Sequence, residues 1–200
     1  MSVLAVTSIT NILLASLVFF LAGRMSRIPK ARFSAAWYFT GVLLLLGVAA
    51  LIGAVDHGFF ESAQLPRYFI QRADWIALGG VTFCLLLTTA KQFFAPRFQR
   101  ILLIAAVIQF AADSAAVLLV DSFLDVILNY APVMLLLLGM SIKARSIHLT
   151  AGLLILSVAS AIQVMGWDAL SPLDRNGVYH VVSMLGVVFL YFGGVTLKTK

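Results

Sequence analysis

Charge is what this chain has least of. Asp, Glu, Lys and Arg make up 11% of its 200 residues, hydrophobic residues make up 62%, and mean hydropathy is +1.05. A soluble domain carries about 25% charged residues. This chain cannot cover a water-facing surface with polar groups, so its solvent is lipid. Cysteine is reduced to Cys84, which excludes an internal disulfide and is expected to pack as a small apolar side chain. The apolar runs lack strict alternation and are twice the length of a barrel strand, which excludes a membrane β-barrel. No HExxH and no HxxxH occurs among the three histidines. The last apolar run has no lysine before Lys198, so a retinal-type Schiff base has no buried amine to form on.

What is present is apolar length. A helix needs about 20 apolar residues to cross roughly 30 Å of hydrocarbon. The sequence predicts an all-α polytopic bundle of seven membrane helices, about 3–23, 36–57, 73–91, 101–120, 123–142, 147–166 and 178–197. They form a single transmembrane domain, 1–200, with no stretch left over for a soluble domain. The first run has no basic residue before it and a cluster after it. That is the reverse of a secretory signal peptide, so it is expected to stay as a helix.

The net charge of +6 does not point to nucleic acid, because it is segregated. Arg24, Arg27, Lys30, Arg32, Lys91, Arg97, Arg100, Lys143, Arg145, Lys198 and Lys200 follow the odd-numbered spans, with no acid among them. The opposite connections hold Arg67, Arg72 and Arg175 with Asp56, Glu61, Asp74, Asp121, Asp125, Asp168 and Asp174. Positive charge stays on the cytoplasmic side. The expected N-terminus is therefore outside and the C-terminus cytoplasmic, in an integral membrane protein of the bacterial inner (plasma) membrane.

Loops are short. "GFFESAQLPRYFIQRA" is the longest expected outer connection, its Phe59, Phe60, Tyr68 and Phe69 suiting an interfacial belt or a short helix lying on the membrane. Pro96 is expected to end span three. Pro172 and Gly177 are expected to break the chain before span seven. Glycines at 41, 47, 53, 79, 80, 193 and 194 let helix backbones approach. Ala49, Gly53 and His57 share one face of span two, which carries His57 towards the bundle.

Depth is the most informative signal. Asn11, Asp113, Asn129, Gln163, His180 and Ser183 fall in the outer halves of their spans, with Gln109 near the middle of span four and Asn176 and Tyr179 at the outer end of span seven, while the inner halves are mostly Leu, Val, Ile, Ala and Phe. This one-sided enrichment predicts a polar pocket opening outward. Interhelical hydrogen bonding, worth about 0.6 kcal/mol per pair, accounts for any single Asn, Gln, Ser or Thr. Asp113 costs about 2.5–3.5 kcal/mol in mid-membrane, so it pairs inside, is protonated, or is functional.

His57 ends span two, His180 begins span seven and Asp74 begins span three. Two imidazoles and a carboxylate suffice for a catalytic zinc with one position open to water, whose pKa falls to about 7. Hydrogen-bonded interfacial histidines are the alternative. His148, among Lys143, Arg145 and Ser146, reads as a solvated loop residue.

Seven spans, "GAVDHGFF" ending span two and "NGVYHVVSM" opening span seven resemble the superfamily of alkaline ceramidases and adiponectin-type receptors. The likeness is closer still to a group of small bacterial membrane proteins within or near it. The resemblance implies a zinc bound by histidines on spans two and seven and, in the characterised enzymes, hydrolysis of lipid amides. Carried across, His57 and His180 hold the metal, with Asp74 as the carboxylate. The superfamily's span-two serine falls on Gly53 and its first span-seven histidine on Asn176.

Three expectations follow. The first is a zinc-dependent hydrolase of a lipid amide or ester, with metal on His57, Asp74 and His180 and proton transfer by Asp56 or Asp113. The second is a non-enzymatic, receptor-like protein binding a membrane lipid or small ligand, motivated by Gly53 and Asn176. The third is a proton-coupled transporter titrating Asp113, against which the apolar inner halves argue.

Overall fold

A computed structural model describes residues 3–166 and 173–200. Asp168 and Pro172 lie outside the described residues. Among the described residues the fold is all-helical: α1 Val3–Ser26, α2 Ala35–Val55, α3 Gln64–Phe93, α4 Pro96–Leu119, α5 Phe123–Lys143, α6 Ile147–Met165 and α7 Arg175–Gly194. Residues Asp56–Phe60 continue α2 as a π-helical turn. All seven helices are long and apolar enough to cross a membrane, and the protein is an integral membrane helix bundle.

Local chemistry sets the ends. Ser34 accepts from Trp37 N at the start of α2, and Ser122 accepts from Leu124 N at the start of α5. Asp174 accepts from Gly177 N at the start of α7. These bonds satisfy N–H groups that a helix start leaves without a partner. Gly166 ends α6 with φ at 66°, the left-handed conformation that glycine adopts without strain.

Three boundaries differ from expectation. Pro96 does not end α3. It opens α4 at the first turn, where a missing N–H costs nothing. Gly177 lies inside α7, because Asp174 caps the helix ahead of it. The long outer loop is replaced by Glu61–Ala63, and α3 begins at Gln64 rather than at 73. Pro66 falls in the first turn of α3 and breaks no intrahelical bond. Arg72 holds this extension in place. It is buried, its guanidinium lies 4.4 Å from the Tyr68 ring and 4.7 Å from the Trp75 ring, and both terminal nitrogens bond Asp121 Oδ1 at 3.1 Å. The expected aromatic belt is carried on helix: Phe59 is 78% exposed and Phe69 64%.

The ends of the bundle sort as the charges require. At the basic end, Ala31 N donates to Thr199 O and Lys198 N to Gln92 Oε1, both at 2.8 Å. This joins the α1–α2 connection, the end of α3 and the C-terminal segment. At the acidic end, Thr7 donates to Asp174 and Ser8 to the Ala54 carbonyl, both at 2.8 Å. This joins the starts of α1 and α7 to the end of α2.

Consecutive helices pack antiparallel, α7 packs back on α1, and α3 packs on α5 as well as α4. The core centres on Val18, Met25, Phe39, Leu43 and Val187. Helix α4 touches mainly α3 and α5, and its Ile101, Ile104 and Ile108 are more than 60% exposed, an apolar face for hydrocarbon. Cys84 is half-buried against Gly41. His148 is not in a loop. It sits in the first turn of α6, exposed, with its ring 5.9 Å from Phe192 and 6.4 Å from Phe189.

Candidate functional site: a polar chamber over an apolar cavity

A cavity of about 240 Å³ opens at the acidic end, walled by six helices and the π turn. Asn11 comes from α1, Ala49 and Gly53 from α2, and Asp56 and His57 from the π turn. Gln71, Asp74 and Trp75 come from α3, Gln163 from α6, and Asn176, Tyr179 and His180 from α7. Ala49, Gly53 and His57 do share the inward face of span two. The π turn begins where α1 crosses α2. Ser8 Oγ donates to the Ala54 carbonyl at 2.8 Å, and Gly58 leaves room for that approach, since a Cβ there would sit 2.8 Å from Ser8 Oγ. Such single π turns inside α-helices are frequent at functional sites.

Both histidines are oriented through Nδ1. His57 Nδ1 lies 2.8 Å from Glu61 Oε2. A carboxylate only accepts, so Nδ1 carries the proton. His180, buried, has Nδ1 3.0 Å from Thr10 Oγ1. Thr10 spends its one hydroxyl proton on the Thr7 carbonyl at 2.9 Å, so the ring donates and the hydroxyl accepts. In neutral form both rings then present a bare Nε2, the atom that binds a metal or takes a proton.

Asn176 does structural work. Gln163 Nε2 donates to Asn176 Oδ1 at 2.7 Å, and Asn176 Nδ2 donates to Asp174 Oδ2 at 3.1 Å. Asp174 Oδ1 accepts from Thr7 Oγ1 and Gly177 N. This chain of bonds ties α6 and α1 to the start of α7, one turn before His180. Gln163 Oε1 is buried with no partner.

The charged rim was not anticipated. Arg67 places Nη2 2.8 Å from Glu61 Oε1 and Nε 3.4 Å from Asp56 Oδ2. Its Nη1 also donates to the Glu61 carbonyl. Sequence reasoning counted Arg67 only as an outer charge. Its position six residues after Glu61, across a tight connection, was the available signal. Asp56 is 5% exposed, and its Oδ1 has no hydrogen-bond partner.

These facts bear on the expected zinc. His57, Asp74 and His180 line one cavity. Among the described residues, however, the one group of three possible ligands whose atoms all lie within 4.8 Å is Asp56, His57 and Glu61. Asp74 and His180 do not join that group, and Arg67 already neutralises its two carboxylates. As arranged, the expected triad does not fit a closed zinc site.

Beneath the chamber lies a second cavity, of about 100 Å³ and mostly aliphatic. Leu14, Leu46, Leu78 and Tyr179 line both. Val81, Leu85, Met134, Leu153, Val187 and Leu190 continue the lower walls, with Ser183 among them. Asn11, Gln163, Asn176 and Tyr179 line the chamber, and Ser183 lies below it.

Asp113, Gln109 and Asn129 line neither cavity. Gln109 Nε2 donates to Asn129 Oδ1 and joins α4 to α5. Asp113 is buried against Gly79 of α3, where a Cβ would collide with its carboxylate. Sequence depth alone cannot tell these from chamber residues, because depth does not specify which side of a helix faces which neighbour.

No curated protein and no solved structure matches the chain. Residues 6–199 match a family of unknown function, DUF6962, and the chain belongs to that family.

Proposed function

We propose that this protein binds a single-chain amphiphile from the membrane, with its polar end among His57, His180, Asp74 and Asn11 and its aliphatic chain in the lower cavity. One observation carries the reading: a polar chamber and an apolar cavity share a wall of Leu14, Leu46, Leu78 and Tyr179. Pockets that are mainly apolar with a few converging polar groups are the usual form of small-ligand sites. The segregation of basic residues supports a chamber facing outward from a bacterial inner membrane. The test is mass spectrometry of organic extracts from detergent-purified protein. A co-purifying single-chain lipid in near-stoichiometric amount is expected. Its absence, together with failure to bind added acyl amphiphiles, overturns the reading.

A second reading is hydrolysis of the bound lipid's amide or ester bond, in keeping with the resemblance to alkaline ceramidases and adiponectin-type receptors. The observation favouring it is the state of the rings: each is held at Nδ1 and presents Nε2. A ring so oriented serves as a general base within hydrogen-bond reach of water. Fatty acid released from an acyl amide or ester by wild type, and lost in His57→Ala and His180→Ala, supports hydrolysis. Bound lipid without turnover leaves binding alone. Zinc content of wild type beside His57→Ala separates metal-dependent from metal-free chemistry.

A further inference from the structure

Acceptors without donors collect in the polar chamber. Asp56 is 5% exposed and lines the chamber, yet its Oδ1 has no hydrogen-bond partner. Arg67 meets this carboxylate only at Oδ2 and divides its charge with Glu61. Gln163 Oε1, from α6, is buried without a partner in the wall of the same cavity. Asp74, from α3, adds a second carboxylate to that cavity and feels Asp56 as a like charge. No lysine or arginine among the described residues lines the chamber.

These groups select the charge of what fits. A carboxylate or phosphate would bring further acceptors and a like charge beside Asp56 and Asp74. A hydroxyl has one proton to give, fewer than the walls can accept. A bare metal ion needs its ligands drawn close around it. Among the described residues, no group of three ligand atoms within 4.8 Å of one another includes Asp74 or His180, and a cavity of about 240 Å³ is far larger than an ion. A primary ammonium group carries three N–H donors, no acceptor and a positive charge. Its bonds to carboxylates are charge-assisted, the stronger kind, and its charge relieves the repulsion between Asp56 and Asp74.

We propose that the chamber is a binding site for an organic ammonium cation, whose N–H groups bond Asp74, Asp56 Oδ1 and Gln163 Oε1. The cation is a free amine or the head of a lipid; in the second case the inference rests on the amphiphile reading above and adds the charge of the polar end. The test is calorimetric titration of the purified full chain in detergent with hexylamine, hexanol, hexanoate and hexyltrimethylammonium. Wild type should bind hexylamine about tenfold more tightly than hexanol, which lacks the charge, and than hexyltrimethylammonium, which lacks N–H donors. It should not bind hexanoate. Asp74→Asn should bring hexylamine down to the level of hexanol and leave hexanol unchanged. Should Asp74→Asn not fold, the order of the probes on wild type decides alone. An ammonium preference that survives Asp74→Asn overturns the site, as does equal binding of hexylamine and hexyltrimethylammonium. Equal binding of hexylamine and hexanol, or of neither, overturns it too and leaves the amphiphile reading to its own test. Dodecylamine at the same detergent concentration separates the two sources. Binding tighter than that of hexylamine supports a lipid amine with its chain in the lower cavity. Binding no tighter supports a free amine and counts against the amphiphile reading while the ammonium site stands.

Discussion

The Asn11 side-chain amide lies against Gly53: a Cβ built at Gly53 would sit 3.2 Å from Asn11 Nδ2. The space beside α2 at Gly53 is thus filled from α1. Gly53→Ser should displace Asn11 and destabilise the protein by about 1–3 kcal/mol through overpacking. Adding Asn11→Ala should return part of that loss. Thermal unfolding of the two single variants and the double variant in detergent checks it. Additive losses would mean that the two positions are not coupled.

Thr10→Val removes the acceptor for His180 Nδ1–H, whose ring is 6% exposed. The orphaned donor should cost about 1–3 kcal/mol. Nitrogen NMR of the histidine rings should show the Nδ1-protonated tautomer for His180 in wild type and its loss in the variant. A wild-type ring protonated at Nε2 instead would contradict the tautomer derived from the bond to Thr7.

Arg67→Met leaves Asp56 and Glu61 without their cation. Asp56 is 5% exposed, so the loss should reach about 3 kcal/mol. Asp56→Asn in the same chain should restore part of it. Unfolding midpoints for the four members of this cycle provide the measurement, and a neutral Arg67→Met would show that the pair contributes nothing.

Gly152 and Gly139 should respond in opposite directions to alanine. A Cβ at Gly152 would stand 2.8 Å from the backbone nitrogen of Leu190 and 2.9 Å from the Gly186 carbonyl, whereas nothing lies within 4 Å of one at Gly139. Gly152→Ala must push α6 and α7 apart and should lower the yield of folded protein sharply. Gly139→Ala should be neutral or gain up to about 1 kcal/mol of helix propensity. Equal tolerance of both would argue that α6 and α7 are not packed through glycine.

Composition, hydrophobic length and the side preference of Lys and Arg were enough to read seven helices, their alternation and the acidic end at which His57 and His180 lie. Those features are local. A helix spanning hydrocarbon must satisfy its own backbone, so its existence is legible wherever about 20 apolar residues run together. Ala49, Gly53 and His57 were legible as one face for the same reason: helical spacing fixes which residues of one helix point together.

What could not be read were relations between helices. Depth placed Gln109, Asp113 and Asn129 beside the chamber residues, yet rotation of α4 and α5 turns them to a separate seam. Arg67 reaches Asp56 and Glu61 only because α3 starts early and the outer connection is short. That His57, Asp74 and His180 line one cavity, with Ser183 in the apolar wall below it, depends on how α2, α3 and α7 are turned about their axes. That rotation is set by side-chain packing across the bundle, through contacts such as Gly152 against Leu190 and Asn11 against Gly53. The sequence by itself determined which segments cross the membrane and in what order their ends alternate. Only tertiary packing decided which polar groups meet.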